Sequence, residues 1–212
     1  MLTSSSKSHA QAVGDANPVV REASRVADDP DSSVVELIRE GQLTAALREV
    51  MRRHGTAVYR YCREELHDVG LADDVHQQIF VQVHRDMESF AGRARFRTWL
   101  FAIARNRVRD AARARRRVDV HFEYDETAEM LDPTADPGER IDHARLSQAL
   151  VACVSRLGEA SRAAVLLRYQ QGFTFEEMAT ICGDKPGTLQ ARVMRAVRAL
   201  RRCVEARTGD KL

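Results

Sequence analysis

The sequence predicts an all-α protein: two small helical domains joined by a flexible acidic linker. Three observations carry that expectation. Apolar residues recur at three- and four-residue spacing in every patterned stretch, the signature of helices with one buried face. Charge is laid down in blocks: ten arginines against Asp110 alone over 93–117, then eight acids and no Lys or Arg over 118–139. A second basic block follows over 185–207, where Lys185, Arg192, Arg195, Arg198, Arg201, Arg202 and Arg207 face only Glu205. With hydrophobic content at 44% and aromatics at 6%, the cores must come from Leu, Val, Ile and Ala.

Residues 1–33, rich in Ser, Ala and Asp with Pro18 and Pro30, lack sustained periodicity and read as a disordered tail. Asp31, Ser32 and Ser33 offer caps for a first helix, VVELIRE, which Gly41 interrupts. A second helix runs from about Leu43, with Ala46, Leu47, Val50, Val58 and Tyr61 at helical spacing and a bend or break at His54 and Gly55. After a turn around Gly70, LADDVHQQIFVQVHRDMESF reads as a third helix. Asp73 and Asp74 fall in its first turn, where acids suit the helix dipole, and Val75, Ile79, Phe80, Val83 and Met87 form its apolar face. Ser89 to Ala94, with Gly92, is a short loop.

The stretch RARFRTWLFAIARNRVRDAARARRR then dominates the chain. On a helical wheel Phe96, Leu100, Ile103, Ala104 and Ala111 share one side, while Arg105, Arg109, Arg113 and Arg116 share the other with Asn106 at its margin. A merely solvated face would mix signs and favour Lys and Glu. An almost pure arginine face fits a polyanion, because Arg forks onto phosphates and stacks on bases. Residues 118–139, with Pro133, Pro137 and Gly138, have the make-up of a linker.

A second module occupies 140–207, ahead of a short tail at 208–212. It opens with an amphipathic helix from Arg140 to Leu157 and a further helix from Glu159 to Gln171, whose core candidates are Ala163, Val165, Leu166, Leu167 and Tyr169. Thr174 and Glu177 form a capping box for a short helix through Cys182. Gly183 to Pro186 turns the chain. Gly187 and Thr188 open a last helix with Leu189, Val193, Val197, Leu200 and Val204 as its buried stripe. Thr188, Ala191, Arg192, Arg195, Arg198 and Arg202 lie away from that stripe, so the pair reads as a helix-turn-helix.

Several classes of function find no support. Cys62, Cys153, Cys182 and Cys203 form no CxxC pair and no zinc spacing, and read as buried free thiols of a cytoplasmic protein. His76 and His84 lie on one side of a helix without a third ligand, so they read as ordinary histidines. There is no signal-peptide pattern and no apolar run long enough to insert in a membrane. Nor is there a grouped acidic metal site, a Gly-rich phosphate loop or a Ser–His–Asp elbow, which leaves no catalytic residue, metal or cofactor to expect and argues against a nuclease.

With both modules in view, the chain resembles bacterial RNA polymerase sigma factors of the extracytoplasmic-function (ECF) group in the sigma-70 family. ADDVHQQIF is similar to the region 2.2 pattern. FAGRARFRTWLFAIARNRVRDAARARRR is similar to regions 2.3 and 2.4, including FRTWL. Leu157 to Arg202, with LLRYQQGFTFEEMATI and the P-G-T that opens the last helix, is similar to region 4. The resemblance covers roughly residues 34–205.

It implies that region 2, at 34–117, docks on core RNA polymerase and recognises and opens the −10 element, while region 4, at 140–207, reads the −35 element of promoter DNA. Asp73, Asp74, Gln77 and Gln78 are the implied polymerase contacts. Arg95, Arg97, Trp99, Arg105, Asn106, Arg109 and Arg113 are the implied −10 set. Phosphates would be held by arginines and a base edge read by Asn106. Phe96 is assigned mainly to the core, whereas Trp99 suits the core and a melted base equally. Lys185, Thr188, Gln190, Arg192, Arg195 and Arg198 are the implied −35 set, with Arg192 and Arg195 best placed to pair with guanine. An anti-sigma factor is a further partner that the family allows. Gln78 replaces a usual acid, and Gln190 with Ala191 replaces a usual basic–Ser pair, which would shift the −35 preference. A stand-alone helix-turn-helix regulator is the alternative; it leaves the Trp-containing arginine helix and ADDVHQQIF without a role.

Overall fold

The computed structural model describes residues 29–119 and 137–209, with side chains over 29–117 and 145–209. The described residues form helices and connecting turns without a strand. The first module comprises α1 (Ser32–Arg39), α2 (Leu43–Leu66), α3 (Val69–Asp86), a 3₁₀ turn (Met87–Ser89) and α4 (Phe96–Asp119). The second comprises α5 (Pro137–Ser155), α6 (Glu159–Val165) continuing into a π-helical turn (Leu166–Gln170), α7 (Phe175–Cys182) and α8 (Pro186–Thr208). Of the linker expected over 118–139 and the tail expected over 1–33, residues 120–136 and 1–28 lie outside the described residues.

The apolar spacing translates directly into burial. Val75, Ile79, Phe80, Val83 and Met87 of the third helix are all buried, as are Leu189, Val193, Leu200 and Val204 of the last, whereas Val197, expected in the same stripe, is only partly buried. Thr174 and Glu177 make both halves of the capping box at the start of α7.

The structure departs from expectation in several places. Residues 29–33, expected in the tail, are built into the fold. The Asp29 carboxylate accepts N–H bonds from Phe96 at 2.8 Å and Asp31 at 3.0 Å, and Asp31 takes the His54 imidazole at 2.8 Å. Asp31 therefore serves as no side-chain cap for α1. Burial pushes its carboxyl up, but His54 and Arg53 outweigh this and hold it below the ordinary value. Helix α2 runs unbroken through His54 and Gly55, where a bend or break was expected. Gly70 lies inside α3, which is capped by Asp68; the turn sits instead at His67, in the left-handed conformation with φ 52°. Asp73 and Asp74 consequently sit beyond the first turn. Tyr169 is exposed, because the π-helical turn carries it out of the core.

Two of the four cysteines are not free thiols. Packing of α5 on α8 brings the Cα atoms of Cys153 and Cys203 to 6.0 Å, and their sulfurs are bonded. Residues 50 apart in sequence gave no spacing signal for this pairing. Cys62 and Cys182 remain free, and burial pushes the Cys62 thiol up to about 12.

The two modules are packed on one another, with α4 against α7 and α2 against α6, and their buried residues form a single cluster.

Candidate nucleic-acid interface

Helix α4 has neither Gly nor Pro between Phe96 and Asp119, so nothing in it interrupts the ladder. Its N-terminus lacks a local cap, and Asp29, 67 residues earlier, supplies the acceptor. Phe96, Leu100, Phe101, Ala104 and Val108 are buried. Trp99 is partly buried: its ring lies 5.3 Å from both Phe90 and Phe96, in an aromatic triangle at the base of the 90–95 loop. It packs against the core and stays partly accessible, so Trp99 belongs to neither extreme.

The arginines of α4 divide between two sides of the helix. Arg97, Arg105 and Arg116 turn toward the second module. The Arg97 guanidinium lies 4.2 Å over the Phe173 ring and donates to the Gln171 carbonyl at 2.6 Å. Burial lowers its pKa, against the pull of Glu177 and Asp31. Arg105 is half-buried beside Cys182 of α7. Arg116 donates to Glu159 at 2.9 Å, and Arg95 approaches Glu177 at 3.8 Å. In this packing Arg97 and Arg105, both expected on DNA, are taken up by protein. The physical reason is that a helix wheel shows where a side chain points but not what a distant segment brings to meet it.

Asn106, Arg109 and Arg113 form the other stripe, at i, i+3 and i+7, on the side left to solvent. Asn106 and Arg113 are exposed, and Arg109, partly exposed, approaches Asp110 at 4.0 Å. Arg107 is held by Gln82 of α3, and Arg115 donates to the Leu66 carbonyl at 3.2 Å.

In α8, Pro186 occupies the first turn with Lys185 as N-cap, and the backbone N–H groups of Thr188 and Leu189 bond back to the Lys185 carbonyl. Lys185, Thr188, Gln190, Arg195 and Arg198 are exposed. Arg192, expected to face outward, is instead mostly covered and donates to Asp184 at 2.6 Å. Nothing in the sequence reading singled out Asp184, because the pairing depends on the turn that brings it back over α8.

On α3, Asp73, Asp74, Gln77 and Gln78 are all exposed. Beside them runs an apolar groove between α2 and α3, lined by Leu47, Met51, His76, Phe80, Val81 and His84. His76 is satisfied by the Gly55 carbonyl at 3.1 Å and by edge contacts with Tyr59 and Phe80. Among the described residues no group of His, Cys, Asp and Glu could hold a metal, and no helix is long and apolar enough to cross a membrane.

Residues 50–118 match the family model for sigma-70 region 2, and residues 147–200 match that for sigma-70 region 4. The chain is 31% identical over 180 residues to the ECF RNA polymerase sigma-E factor of Escherichia coli, which spans 80% of this chain and 92% of the relative. It is 29% identical over 167 residues to the RNA polymerase sigma factor CarQ of Myxococcus xanthus, 79% of this chain and 93% of that one. Its fold is similar to the sigma factor RpoE of Bartonella quintana, solved with the anti-sigma factor NepR, with a TM-score of 0.64 at 22% identity over 74% of this chain and 96% of that one.

Proposed function

The chain belongs to the sigma-70 family, among the extracytoplasmic-function RNA polymerase sigma factors, and from that premise we propose how its residues divide the work. As a sigma factor it directs core RNA polymerase to specific promoters; the family is regulatory, and RNA synthesis is the polymerase's chemistry. Core polymerase and promoter DNA are its partners, and a cytoplasmic location goes with them. An anti-sigma factor is the protein partner to expect as a competitor for the same surfaces.

The stripe of exposed Asn106 and Arg113 with partly exposed Arg109 between them is the observation that carries the assignment of α4 to the −10 element. Arginines there hold phosphates, and Asn106 reads a base edge. Opening the duplex costs a few kcal/mol per unstacked base. A base received on an aromatic face returns about 1–3 kcal/mol, and the accessible part of Trp99 beside the 90–95 loop is the platform for it. Arg95 stands at the mouth of that loop. Arg97 and Arg105 join the DNA contacts only where the second module moves off α4. In region 4, Lys185, Thr188 and Gln190 at the N-terminus of α8, with Arg192, Arg195 and Arg198 further along, enter the major groove of the −35 element.

The exposed set Asp73, Asp74, Gln77 and Gln78, next to the apolar α2–α3 groove, is the polymerase-docking surface. Core polymerase reconstituted with the chain should initiate at promoters that core alone ignores, and Asp74→Arg should reduce co-purification with core polymerase and run-off transcript together. Retention of Asp74→Arg at the wild-type level would count against this docking surface. A stand-alone helix-turn-helix regulator would leave the region 2 match over 50–118 without a role.

A further inference from the structure

We propose that Asp184 is a specificity-determining residue, which positions Arg192 for base reading and bars it from indiscriminate phosphate binding. The inference rests on the assignment of α8 to the −35 element. Asp184 sits in the turn between α7 and α8, and both of its flanks are fixed. Gly183 before it holds a left-handed conformation, φ 74°, with its N–H on the Ala179 carbonyl at 2.8 Å. Lys185 after it is extended, with its carbonyl accepting from Thr188 at 3.0 Å and Leu189 at 3.1 Å. The carboxylate is therefore presented from a rigid backbone, and Arg192 Nη1 donates to its Oδ2 at 2.6 Å.

The guanidinium is a planar fork of five donors, so one short charge-assisted bond sets its plane while the other nitrogens stay free to donate. A long side chain held in this way loses less freedom when it meets a base edge. The Arg192 side chain is also held close to the protein, with an exposure of 21% against 36% for Asp184. Charge acts in the same direction as geometry. A carboxylate 2.6 Å from the guanidinium offsets its non-directional attraction to phosphate but leaves its directional donors intact. Arg195 and Arg198, exposed on the same helix, have no ion-pair partner among the described residues and suit phosphates. Within one helix the arginines thus divide into a buttressed reader and unbuttressed holders.

The holoenzyme, assembled from core polymerase and the full chain, is used to select from promoter duplexes randomised over the −35 element. Wild type should enrich a defined sequence, and Arg192→Ala should relax it at one position. Asp184→Ala should relax that same position by about tenfold, near the low end for a base contact. Its affinity for non-promoter DNA should rise, with a steeper salt dependence. Asp184→Asn, which keeps an acceptor but not the charge, should raise non-promoter affinity while keeping part of the selectivity. If wild type enriches nothing, the −35 assignment itself fails. If Arg192→Ala relaxes a position but Asp184→Ala selects as wild type does, the role given to Asp184 is overturned alone. Uniform loss at every position in Asp184→Ala, with weaker binding to all DNA, also overturns it, because that is what mere disruption of the turn would give.

Discussion

Glu65 on α2 and Arg162 on α6 meet at 3.3 Å across the seam between the two modules, with side-chain exposures of only 2% and 10%. Arg162 spends its remaining donors on backbone, reaching the Glu65 carbonyl at 3.1 Å and the Ser155 and Leu157 carbonyls at 3.2 Å. Four of the five arginine donors thus meet acceptors, whereas Glu65 Oε1 is buried without a hydrogen-bond partner. Two ions withdrawn from water recover their desolvation only with near-complete pairing, and this pair falls short on one side. Burial accordingly pushes the Glu65 carboxyl up to about 7 although Arg162 pulls the other way.

That imbalance makes the packing of the modules sensitive to pH. Glu65 binds its proton more tightly in the folded chain, at about 7, than at its ordinary value of 4.5. Its contribution to stability is therefore complete below 4.5 and is lost as pH rises through about 7. Glu65→Gln keeps the neutral shape and abolishes the titration. Denaturant midpoints measured from pH 5 to 8 should decline for wild type relative to Glu65→Gln. Parallel curves would show that Glu65 does not titrate in this window.

The division of the α4 arginines gives a second contrast. Arg109, on the solvent stripe, should hold a phosphate, so Arg109→Ala should weaken promoter binding by the holoenzyme and reduce its log–log salt slope by about 1. A slope equal to wild type would remove Arg109 from the phosphate contacts. Arg97 is spent differently, on the Gln171 carbonyl and the Phe173 ring. Arg97→Ala should lower the stability of the free chain by about 1–3 kcal/mol, seen in thermal unfolding. Unfolding that coincides with wild type would show that Arg97 adds nothing to the seam.

What was legible in the sequence was local. The Thr174–Glu177 box, the apolar stripe of α3 and most of that of α8 follow from spacing within one helix, and the structure forms them as spacing dictates. What was not legible depends on segments far apart. Asp29 caps α4 from 67 residues away, and Glu65 meets Arg162 from 97 away. Neither pair carries a periodic or motif signal, because an Asp in a Ser-rich stretch and an Arg in a helix have many other uses. Arg97 and Arg192 were expected on DNA for the same reason. Charge marked them as ligand-seeking, but only the packed chain shows that a carbonyl, a ring or a nearby carboxylate had already met them.

The cysteine pair is the plainest case of such a long-range fact, and it carries its own prediction. Cys153 on α5 and Cys203 on α8 close a loop of 50 residues that contains α6, α7 and most of α8. A cross-link of that span removes unfolded-chain freedom worth about 2–4 kcal/mol. Because both cysteines belong to the second module, the benefit should be concentrated there, with the α1–α4 bundle affected only through the shared seam. Denaturant unfolding with and without a thiol reductant should therefore show a lower midpoint for the reduced chain. Cys203→Ser should match the reduced wild type and should not respond to reductant. If wild type unfolds identically in both conditions, the bond contributes nothing to stability and α5 is held to α8 by apolar packing alone.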